Sequence, residues 1–232
     1  QEQAEEQLLE KSEELERYFT SSLDMLCIAD TNGIFIRLNP EWEQVLGYPL
    51  SELEGRSFMD FVHPDDTEAT RNALERLRHK EEVRDFENRY RCKDGSYRWI
   101  EWRSRAIGSS IYAAARDITD RKEAEHSLKE SEERFRFLMN QSIDMLLIHD
   151  LEGTIVEANK QAERQTGYSR DELLGMSIPA LDPDYREREN RGQFWDGIGF
   201  EQPYRFEAQI LRKDGALVPM EIALSKVAIR GT

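Results

Sequence analysis

Two periodicities of apolar positions alternate along the chain, and each of them occurs twice. In residues 1–22 a heptad repeat places Ala4, Leu8, Leu15 and Tyr18 on a and d positions, where Lys11 interrupts the apolar seam, while Glu and Gln fill the other faces. This spacing predicts an amphipathic helix. The heptad register returns in residues 119–141. After both helices, apolar residues recur at every second position, which predicts β-strands.

The first stretch of alternating positions predicts five strands and several helices. We predict strands at residues 25–30, 34–38, 83–92, 96–106 and 110–117, and a longer helix at about 64–77. Asn32-Gly33 and Asp94-Gly95 lie between paired strands, where a hairpin needs residues that tolerate left-handed backbone. Ser51 and Ser169, each followed three positions later by Glu, match the capping box that begins a helix. This order favours an α+β fold, an antiparallel sheet with helices on one face.

The second half of the chain repeats the first with a shift of 120 residues, so that position 22 corresponds to position 142. Ser22-Leu23-Asp24-Met25-Leu26 returns as Ser142-Ile143-Asp144-Met145-Leu146, and Lys93-Asp94-Gly95 returns as Lys213-Asp214-Gly215. We therefore predict two copies of one domain of ordinary size. The predicted bounds are an N-terminal helix at 1–22, a first domain at 23–118, a connecting helix at 119–141 and a second domain at 142–232. The second copy is expected to lack its last strand, since the sequence ends where that strand would begin.

Composition narrows the classes of function. The net charge of −15 argues against nucleic acid or an anionic membrane as a partner, because phosphate groups are bound by clustered Lys and Arg. Cys27 and Cys92 have no counterparts in the second copy, and we interpret them as free thiols of a reducing, cytoplasmic compartment. No apolar run reaches the roughly 18 residues that a bilayer-spanning helix needs. The chain begins inside a helical pattern, so we interpret it as a segment of a longer protein that can carry a membrane anchor elsewhere.

The sequence contains no nucleophile–base motif, no phosphate-binding glycine loop and no metal-binding cluster. We therefore expect this segment itself not to be an enzyme.

Short motifs follow one another in the same order in both copies. The first copy carries Asp30-x-x-Gly33, Asn39-Pro40, Gly47-Tyr48, Glu52-Leu53-x-Gly55, His63-Pro64-Asp65-Asp66, Lys93-Asp94-Gly95-x-x-x-Trp99 and Asp117-Ile118-Thr119-Asp120-Arg121-Lys122. The second copy carries Asp150-x-x-Gly153, Asn159, Gly167-Tyr168, Glu172-Leu173-x-Gly175 and Lys213-Asp214-Gly215. This ordered set resembles the tandem S-box PAS domains, with their PAC motifs, of bacterial and archaeal sensor proteins.

The resemblance implies two PAS folds in series, each a five-stranded antiparallel sheet with helices on one face, joined by a long helix of coiled-coil-like sequence. It implies a pocket between sheet and helices that holds a ligand, a cofactor or only side chains. Such domains commonly lie upstream of an output domain in the same chain, such as the histidine kinase of a two-component system or a cyclic-dinucleotide enzyme. The Asp-Ile-Thr motif of the family couples the last strand to the output helix, which assigns signal coupling to Asp117, Ile118, Thr119 and Arg121.

The a and d positions of the two helices are candidates for a homodimer interface. The candidates are Leu8, Leu15, Leu128, Ser131, Phe135 and Leu138. A parallel two-stranded coiled coil is one interpretation, and packing of each helix on its own domain is the other. Ser131 weakens the seam, which suits a connecting helix that changes between two states.

Alternation in the strands identifies the side chains expected to line each pocket. The candidates are Cys27, Asn88, Tyr90, Arg98, Ile100 and Trp102 in the first copy, and Phe194, Trp195, Ala208, Ile210, Met220 and Ile222 in the second. The second lining is uniformly apolar, which predicts a packed core or an apolar ligand. In the first, Arg98 and Asn88 are hypothesised to hold a small anionic or polar metabolite. The alternative is that Arg98 lies at the strand end, where it reaches solvent or pairs with a carboxylate.

On the opposite face of the first sheet, Trp99 is expected to be covered by the flanking helix or by a partner subunit, because an aromatic side chain on a sheet face usually packs against something.

Cofactor-binding PAS subfamilies carry residue signatures that this chain lacks. The light-sensing flavin subfamily places a reactive cysteine just after the position of Gly55, and neither copy has one there. Haem-binding members place an axial histidine in the long helix, where the first copy offers only His79 and the second has no histidine after His149. We expect neither haem nor that type of flavin. Phe194-Trp195 leaves two alternatives for the second copy, a flavin contact or a core aromatic.

Three functions are compatible with these observations. The first is a sensory module that binds a small ligand or relays a conformational change through the connecting helix. The second is a ligand-free dimerisation or spacer module. The third, which the sequence favours least, is a flavin-binding redox sensor.

Overall fold

The computed structural model describes residues 2–185 and 203–226. Its internal contacts divide the chain into two units, Gln1–Ser127 and Leu128–Thr232. The predicted sites Phe194 and Trp195 lie outside the described residues. The same is true of residues 227–232, which precede the expected position of the missing strand.

The first unit contains the element order that the sequence predicts. Its helices are α1 (Glu2–Ser21), α2 (Glu41–Leu46), α3 (Leu50–Leu53) and α4 (Thr67–Arg78). Its strands are β1 (Met25–Asp30), β2 (Phe35–Leu38), β3 (Val83–Arg91), β4 (Tyr97–Ile107) and β5 (Ser110–Asp117). Helix α5 (Thr119–Gln141) follows directly. Helix α4 begins later than predicted because Pro64–Asp66 forms a separate 3-10 turn.

The five strands form one sheet in the order β2-β1-β5-β4-β3. Each neighbouring pair is antiparallel, so the predicted five-stranded antiparallel sheet is confirmed. Strands β2 and β3 form the two edges of the sheet. Helices α2 to α4 follow β2 and precede β3 in the sequence, so this helical segment connects the two edges. The inner face of β1, β3, β4 and β5 is thereby left to pack against these helices.

The turn between β1 and β2 depends on Asp30 and Gly33. The Asp30 carboxylate accepts the backbone N–H groups of Asn32 at 2.9 Å and Ile34 at 2.8 Å, which lowers the pKa of Asp30. Gly33 has a φ of +87°, and a Cβ there would approach the Phe58 ring to 3.1 Å. Glycine is required by both the backbone conformation and the space. Asp150 repeats the arrangement by accepting the N–H of Thr154 at 2.7 Å.

The repeated asparagine joins the first strand of each unit to the segment that precedes it. Asn39 accepts the N–H of Leu26 at 2.9 Å and donates to the carbonyl of Asp24 at 3.0 Å. Asn159 makes the same two contacts with Leu146 and Asp144. Both asparagines are buried. Their presence in both copies has a structural cause, because only a side-chain amide can donate one of these hydrogen bonds and accept the other.

One of the two predicted capping boxes is present. Ser169 and Glu172 form it at the start of α7 (Arg170–Leu173). The prediction for Ser51 is wrong, because Pro49 occupies the N-cap of α3 and Ser51 lies inside the helix. The Glu54 carboxylate instead accepts the backbone N–H of Leu38 at 3.0 Å.

The core of the first unit is rich in aromatic side chains. Trp42 of α2 is fully buried and meets Phe35 edge to face at a centroid distance of 5.0 Å. Its ring lies 5.8 Å from Trp102 and 6.1 Å from Tyr90. Such pairs stabilise a fold beyond the area that they bury, and they fix the end of the sheet that α2 covers.

The described part of the second unit repeats the first. Its strands are β6 (Leu147–His149), β7 (Ile155–Ala158), β8 (Tyr204–Leu211) and β9 (Leu217–Leu224), and its helices after α5 are α6 (Lys160–Thr166), α7 and α8 (Ile178–Leu181). Strands β6 and β7 pair antiparallel, as do β8 and β9. Burial alternates along β8, where Ala208 and Ile210 are buried, as the period-two pattern predicts.

Candidate functional site

A cavity of about 50 Å³ lies between helix α4 and the inner face of the first sheet. Strands β1, β3, β4 and β5 and helix α4 all contribute side chains to it. The lining residues are Cys27, Ala29, Phe35, Phe58, Thr70, Ala73, Leu74, Leu77, Val83, Phe86, Asn88, Tyr90, Trp102, Ser104, Ile111 and Ala113. Not one of these side chains carries a formal charge at neutral pH, so the lining is apolar with a few neutral polar groups.

A chain of three hydrogen bonds crosses one wall of the cavity. The Trp102 indole Nε1 donates to Asn88 Oδ1 at 2.7 Å. Asn88 Nδ2 donates to Thr70 Oγ1 at 3.0 Å, and the Thr70 hydroxyl donates to the carbonyl of Asp66 at 2.7 Å. Because Asn88 and Thr70 are both buried, these bonds satisfy side-chain groups that water does not reach. The network ties strands β3 and β4 to helix α4.

Two further cavity groups are protonated and neutral. Burial raises the pKa of the Cys27 thiol to about 12, because a low-polarity surrounding disfavours the thiolate. Burial likewise raises the pKa of the Tyr90 hydroxyl well above its ordinary value. Within the described part of the chain, the hydroxyls of Tyr90 and Ser104 form no hydrogen bond, and neither oxygen is among the fully buried side-chain atoms that lack a partner, so both border the open space of the cavity. They are free to bind another molecule at the cavity.

Four of the six side chains predicted for the first pocket line the cavity: Cys27, Asn88, Tyr90 and Trp102. Ile100 is fully buried but packs in the adjoining core and does not line it. The hypothesis that Arg98 joins Asn88 at an anionic ligand is wrong. Arg98 is the second residue of β4, its side chain is 42% exposed, and its guanidinium Nη1 lies 3.6 Å from Asp117 Oδ2. The alternative given for it, pairing with a carboxylate at the strand end, is the one observed.

Sequence reasoning missed the helical half of the cavity. Thr70, Ala73, Leu74 and Leu77 follow the spacing of one face of α4, so amphipathic periodicity was the available signal. Thr70 matters most, because its hydroxyl is the link between Asn88 and the helix backbone.

In the second unit, Ile210, Met220 and Ile222 line a cavity together with Leu181 and Tyr185, and Ala208 is buried beside it. The expectation of a uniformly apolar lining is wrong, because Arg164 and Arg212 also border this cavity. Alternation along β8 and β9 identified the apolar wall, but Arg164 comes from α6, and Arg205 and Glu221 of the same two strands also border the cavity.

The predicted coupling residues form a compact joint at the end of β5. The Asp117 carboxylate Oδ1 accepts the backbone N–H of Thr119 at 2.8 Å and its hydroxyl at 2.5 Å. Thr119 Oγ1 accepts the N–H of Trp99 at 2.9 Å, and the N–H of Ile118 donates to the carbonyl of Trp99 at 2.8 Å. Ile118 and Thr119 are buried. Arg121 donates to Glu87 and Glu101 at 3.1 Å each.

Trp99 is covered, as expected, by the flanking helix. Lys122 of α5 places its ammonium 5.4 Å from the centre of the indole ring, and Arg89 places its guanidinium carbon 5.1 Å from it.

The predicted dimer residues are exposed within a single chain. The exposed fractions are 72% for Leu8, 67% for Leu15, 63% for Leu128, 46% for Phe135 and 63% for Leu138. Ser131 is also exposed. Helix α1 nevertheless contacts its own unit on another face, where Arg37 lies over the Phe19 ring and pairs with Glu16.

A family model described as PAS fold matches residues 35–112, and a second one, also described as PAS fold, matches residues 133–229. The chain is a tandem pair of PAS domains. The predicted family and fold are therefore confirmed, and the cavity lies in the first PAS domain between its sheet and α4.

Curated proteins from bacteria and archaea resemble this chain. It is 28% identical over 194 residues to an uncharacterised protein of Sinorhizobium fredii, and the match covers 81% of this chain and 23% of that protein. It is 26% identical over 175 residues to sporulation kinase E of Bacillus subtilis, covering 74% of this chain and 23% of the kinase. It is 31% identical over 121 residues to the methyl sulfide methyltransferase-associated sensor of Methanosarcina acetivorans, covering 50% of this chain and 12% of that sensor.

The chain thus spans about a quarter or less of the length of these relatives. Its PAS domains and these likenesses support a sensory signalling module. Over residues 2–185 and 203–226, no helix is long and apolar enough to cross a membrane. The same residues contain no group of three or more His, Cys, Asp or Glu side chains that could hold a metal ion.

Proposed function

We propose that the first PAS domain is a sensor that binds a small uncharged molecule in its cavity, and that α5 relays the effect to an output domain in the same chain. The observation that carries the proposal is the pair of hydroxyls without a hydrogen bond, Tyr90 and Ser104, at a cavity whose other lining residues are mostly apolar. A small ligand that hydrogen-bonds to either hydroxyl while burying its apolar atoms among these side chains gains free energy from both contacts.

The absence of charge in the lining limits the chemistry of the ligand. An ion transferred into an apolar cavity without a counter-charge loses far more hydration energy than neutral dipoles return. Arg98, the one candidate cation, faces Asp117 instead. The cavity therefore suits alcohols, amides or small apolar molecules and disfavours carboxylates.

Size limits the ligand further. At about 50 Å³ the cavity has about a third of the volume of the ~150 Å³ apolar cavity that accommodates benzene. A ligand of about four non-hydrogen atoms is limited to roughly −6 kcal/mol, a Kd of tens of micromolar at best. A porphyrin or a flavin is much too large for this space. The sensor would respond to an abundant, rapidly exchanging small molecule.

The relay is proposed to use the joint at Asp117, Ile118 and Thr119. This joint connects β4 and β5, which line the cavity, to the first turn of α5. Helix α5 has 23 residues and is about 34 Å long at 1.5 Å per residue. Because the helix is this long, a small change in its direction at the first turn produces a larger displacement at its far end.

Dimerisation is proposed through the exposed apolar residues of α1 and α5, because a stripe of Leu and Phe at a/d positions gains free energy when a second copy covers it. The segment itself is proposed to be non-catalytic. Its output domain is proposed to be a kinase, on the basis of the likeness to sporulation kinase E.

A thermal-shift screen tests the sensor proposal. The whole chain is heated with small alcohols and amides in one set and with small carboxylates in another, while the fluorescence of the first domain's tryptophans is followed. A neutral ligand at 100 times its Kd stabilises the folded state by about 2.7 kcal/mol, a rise of several degrees in the unfolding midpoint. The matched control is Ala113→Leu, which fills the cavity from β5 and should abolish the rise.

A ligand-free dimerisation or spacer module is the second candidate. The observation in its favour is the small volume of the cavity, because side chains of α4 and the sheet fill most of the space between them. Equal midpoints with every compound, in both the parent chain and Ala113→Leu, would support the spacer and reject the sensor.

A further inference from the structure

A series of contacts on the outer face of the first sheet begins at Asp66, directly before helix α4. The Asp66 carboxylate accepts Arg89 Nε at 2.9 Å, Arg89 Nη2 at 2.7 Å and the Arg89 backbone N–H at 2.8 Å. The Asp66 carbonyl accepts the hydroxyl of Thr70, which lines the cavity. Asp66 therefore joins the cavity wall on one side to Arg89 on the other.

The series continues to helix α5 through Trp99. Arg89 and Trp99 are cross-strand neighbours in the β3–β4 pair, and the Arg89 guanidinium lies over the indole ring. The Lys122 ammonium lies over the same ring. Trp99 also holds the start of α5 by its backbone, since its N–H donates to Thr119 and its carbonyl accepts from Ile118. Ring and backbone of one residue thus contact the first turn of α5.

Two cations at one ring repel each other unless each has a counter-charge. Asp66 neutralises Arg89, and Glu87 neutralises Lys122 with 2.5 Å between Nζ and Oε2. A change at Asp66 therefore alters the charge balance at the ring and not only one local pair.

The second domain lacks this arrangement. Gln209 and Pro219 occupy the positions that correspond to Arg89 and Trp99, and they pair across β8 and β9 in the same register. Neither a guanidinium nor an aromatic ring is present there. The contact series is a property of the first domain, the one with the neutral cavity.

We propose that Arg89 and Trp99 are positioning residues that couple helix α4 to helix α5, so that a displacement of α4 at the cavity changes how firmly the first turn of α5 is held. The stimulus rests on the proposed function, but the coupling is a property of the folded domain and is measurable without any ligand. This coupling is a free energy of interaction between α4 and the first turn of α5. The packed and charged groups that lie between them in an unbroken series carry it.

Hydrogen exchange in an Asp66→Asn variant of the full chain tests the coupling. Asp66 makes no side-chain cap to α4, so the substitution removes charge without removing a cap. A cation–aromatic contact of this exposure has a strength that corresponds to about a two- to fivefold change in an opening equilibrium. We expect the amides of the first turn of α5, including Lys122, to exchange about two- to fivefold faster, while those of β1 are unchanged.

The decisive comparison is the same substitution in a Trp99→Leu background. If Trp99 transmits the effect, Asp66→Asn adds nothing at α5 once the ring is absent. The matched control is Asp85→Asn. Asp85 pairs with Arg103 at 3.9 Å on the same sheet, and its positive φ of 54° also suits Asn. Within the described residues no hydrogen bond or ion pair joins it to Trp99 or Lys122, so its loss should leave α5 unchanged.

Three results would overturn the coupling: no change at α5 in Asp66→Asn, an equal increase in the Trp99→Leu background, or an equal increase in β1, which would indicate general destabilisation. The ligand screen is independent of this experiment. A chain that shows the coupling but binds no compound would contradict the sensor proposal alone.

Discussion

The indole N–H of Trp102 donates to the side-chain carbonyl of Asn88 at 2.7 Å, and both residues are buried. The bond crosses from β4 to β3 on the inner face of the sheet, beside the cavity. Asn88 passes the connection on to Thr70 in α4. A polar network in an apolar wall is stabilising only while every member has a partner, so these three residues define one shape of the cavity.

Replacing Asn88 with Leu should destabilise the first domain by about 2 kcal/mol. The Trp102 N–H loses its acceptor, and the Thr70 hydroxyl, which still donates to the Asp66 carbonyl, loses its donor. Urea unfolding followed by tryptophan fluorescence measures this. Adding Trp102→Phe to Asn88→Leu removes the stranded donor and should recover part of the loss. If the double variant shows the simple sum of the two single losses, the bond is not the source of the effect.

Stability should depend on pH through Asp66. The Arg89 hydrogen bonds hold the pKa of Asp66 below its ordinary value of 3.8. A depressed folded-state pKa gives stabilisation that is complete above the unfolded-state pKa and is lost as pH falls through the folded-state pKa. The difference in urea midpoint between the parent chain and Asp66→Asn should therefore be largest near neutral pH and shrink below about pH 4.

The control for this titration is Asp65→Asn, the neighbouring carboxylate, which is 73% exposed. It should show a small difference at every pH. A parent–Asp66→Asn difference that stays constant from neutral to acid pH would contradict the role assigned to the Asp66–Arg89 pair.

Cys27 should be almost inert to thiol reagents in the folded protein. Its pKa is raised from 9.0 to about 12 by burial, so the thiolate fraction at mildly alkaline pH is about a thousandfold lower than for an ordinary thiol. A Cys92→Ser chain isolates the reaction of Cys27, and denaturant provides the fully reactive reference. Rapid labelling of the folded chain would mean that the cavity opens to solvent far more readily than the structure indicates.

The flanking helices should set the strength of dimerisation. Phe135→Glu or Leu138→Glu should raise the dimer Kd at least tenfold, because each apolar side chain buried in an interface contributes about 1.5–3 kcal/mol. Ser131→Leu should lower it. Sedimentation equilibrium measures both, with Leu151→Glu as a control, since Leu151 is 85% exposed but lies in a turn. If all four variants associated as strongly as the parent chain, the flanking helices would not form the dimer interface.

Much of the fold could be predicted from the sequence because its signals are local. Alternation from Met25 to Asp30 and from Ser110 to Asp117 identified strands with the observed bounds. The shift of 120 residues placed the first strand of the second copy correctly, although β6 is shorter than its counterpart. The capping prediction failed at Ser51, where Pro49 takes the N-cap.

The site was harder to predict because a cavity joins elements of different periodicity. Strand alternation placed Asn88, Tyr90 and Trp102 correctly, but it gives only the face and not the distance from the strand end, which is why Arg98 was assigned wrongly. Thr70 comes from a helix, and its link to Asn88 is a tertiary contact between positions 18 residues apart. The stack of Arg89 and Lys122 on Trp99 likewise depends on where α5 starts relative to β4.

The most direct test of the sensor proposal is the NMR resonance of the Trp102 indole N–H during titration with small neutral alcohols and amides. The parent chain is compared with Ala113→Leu. We predict a saturable shift of this resonance with at least one compound in the parent chain, no such shift in Ala113→Leu, and none with small carboxylates. An indole resonance that does not move with any neutral compound, or that moves identically in the filled variant, would contradict ligand binding at this cavity.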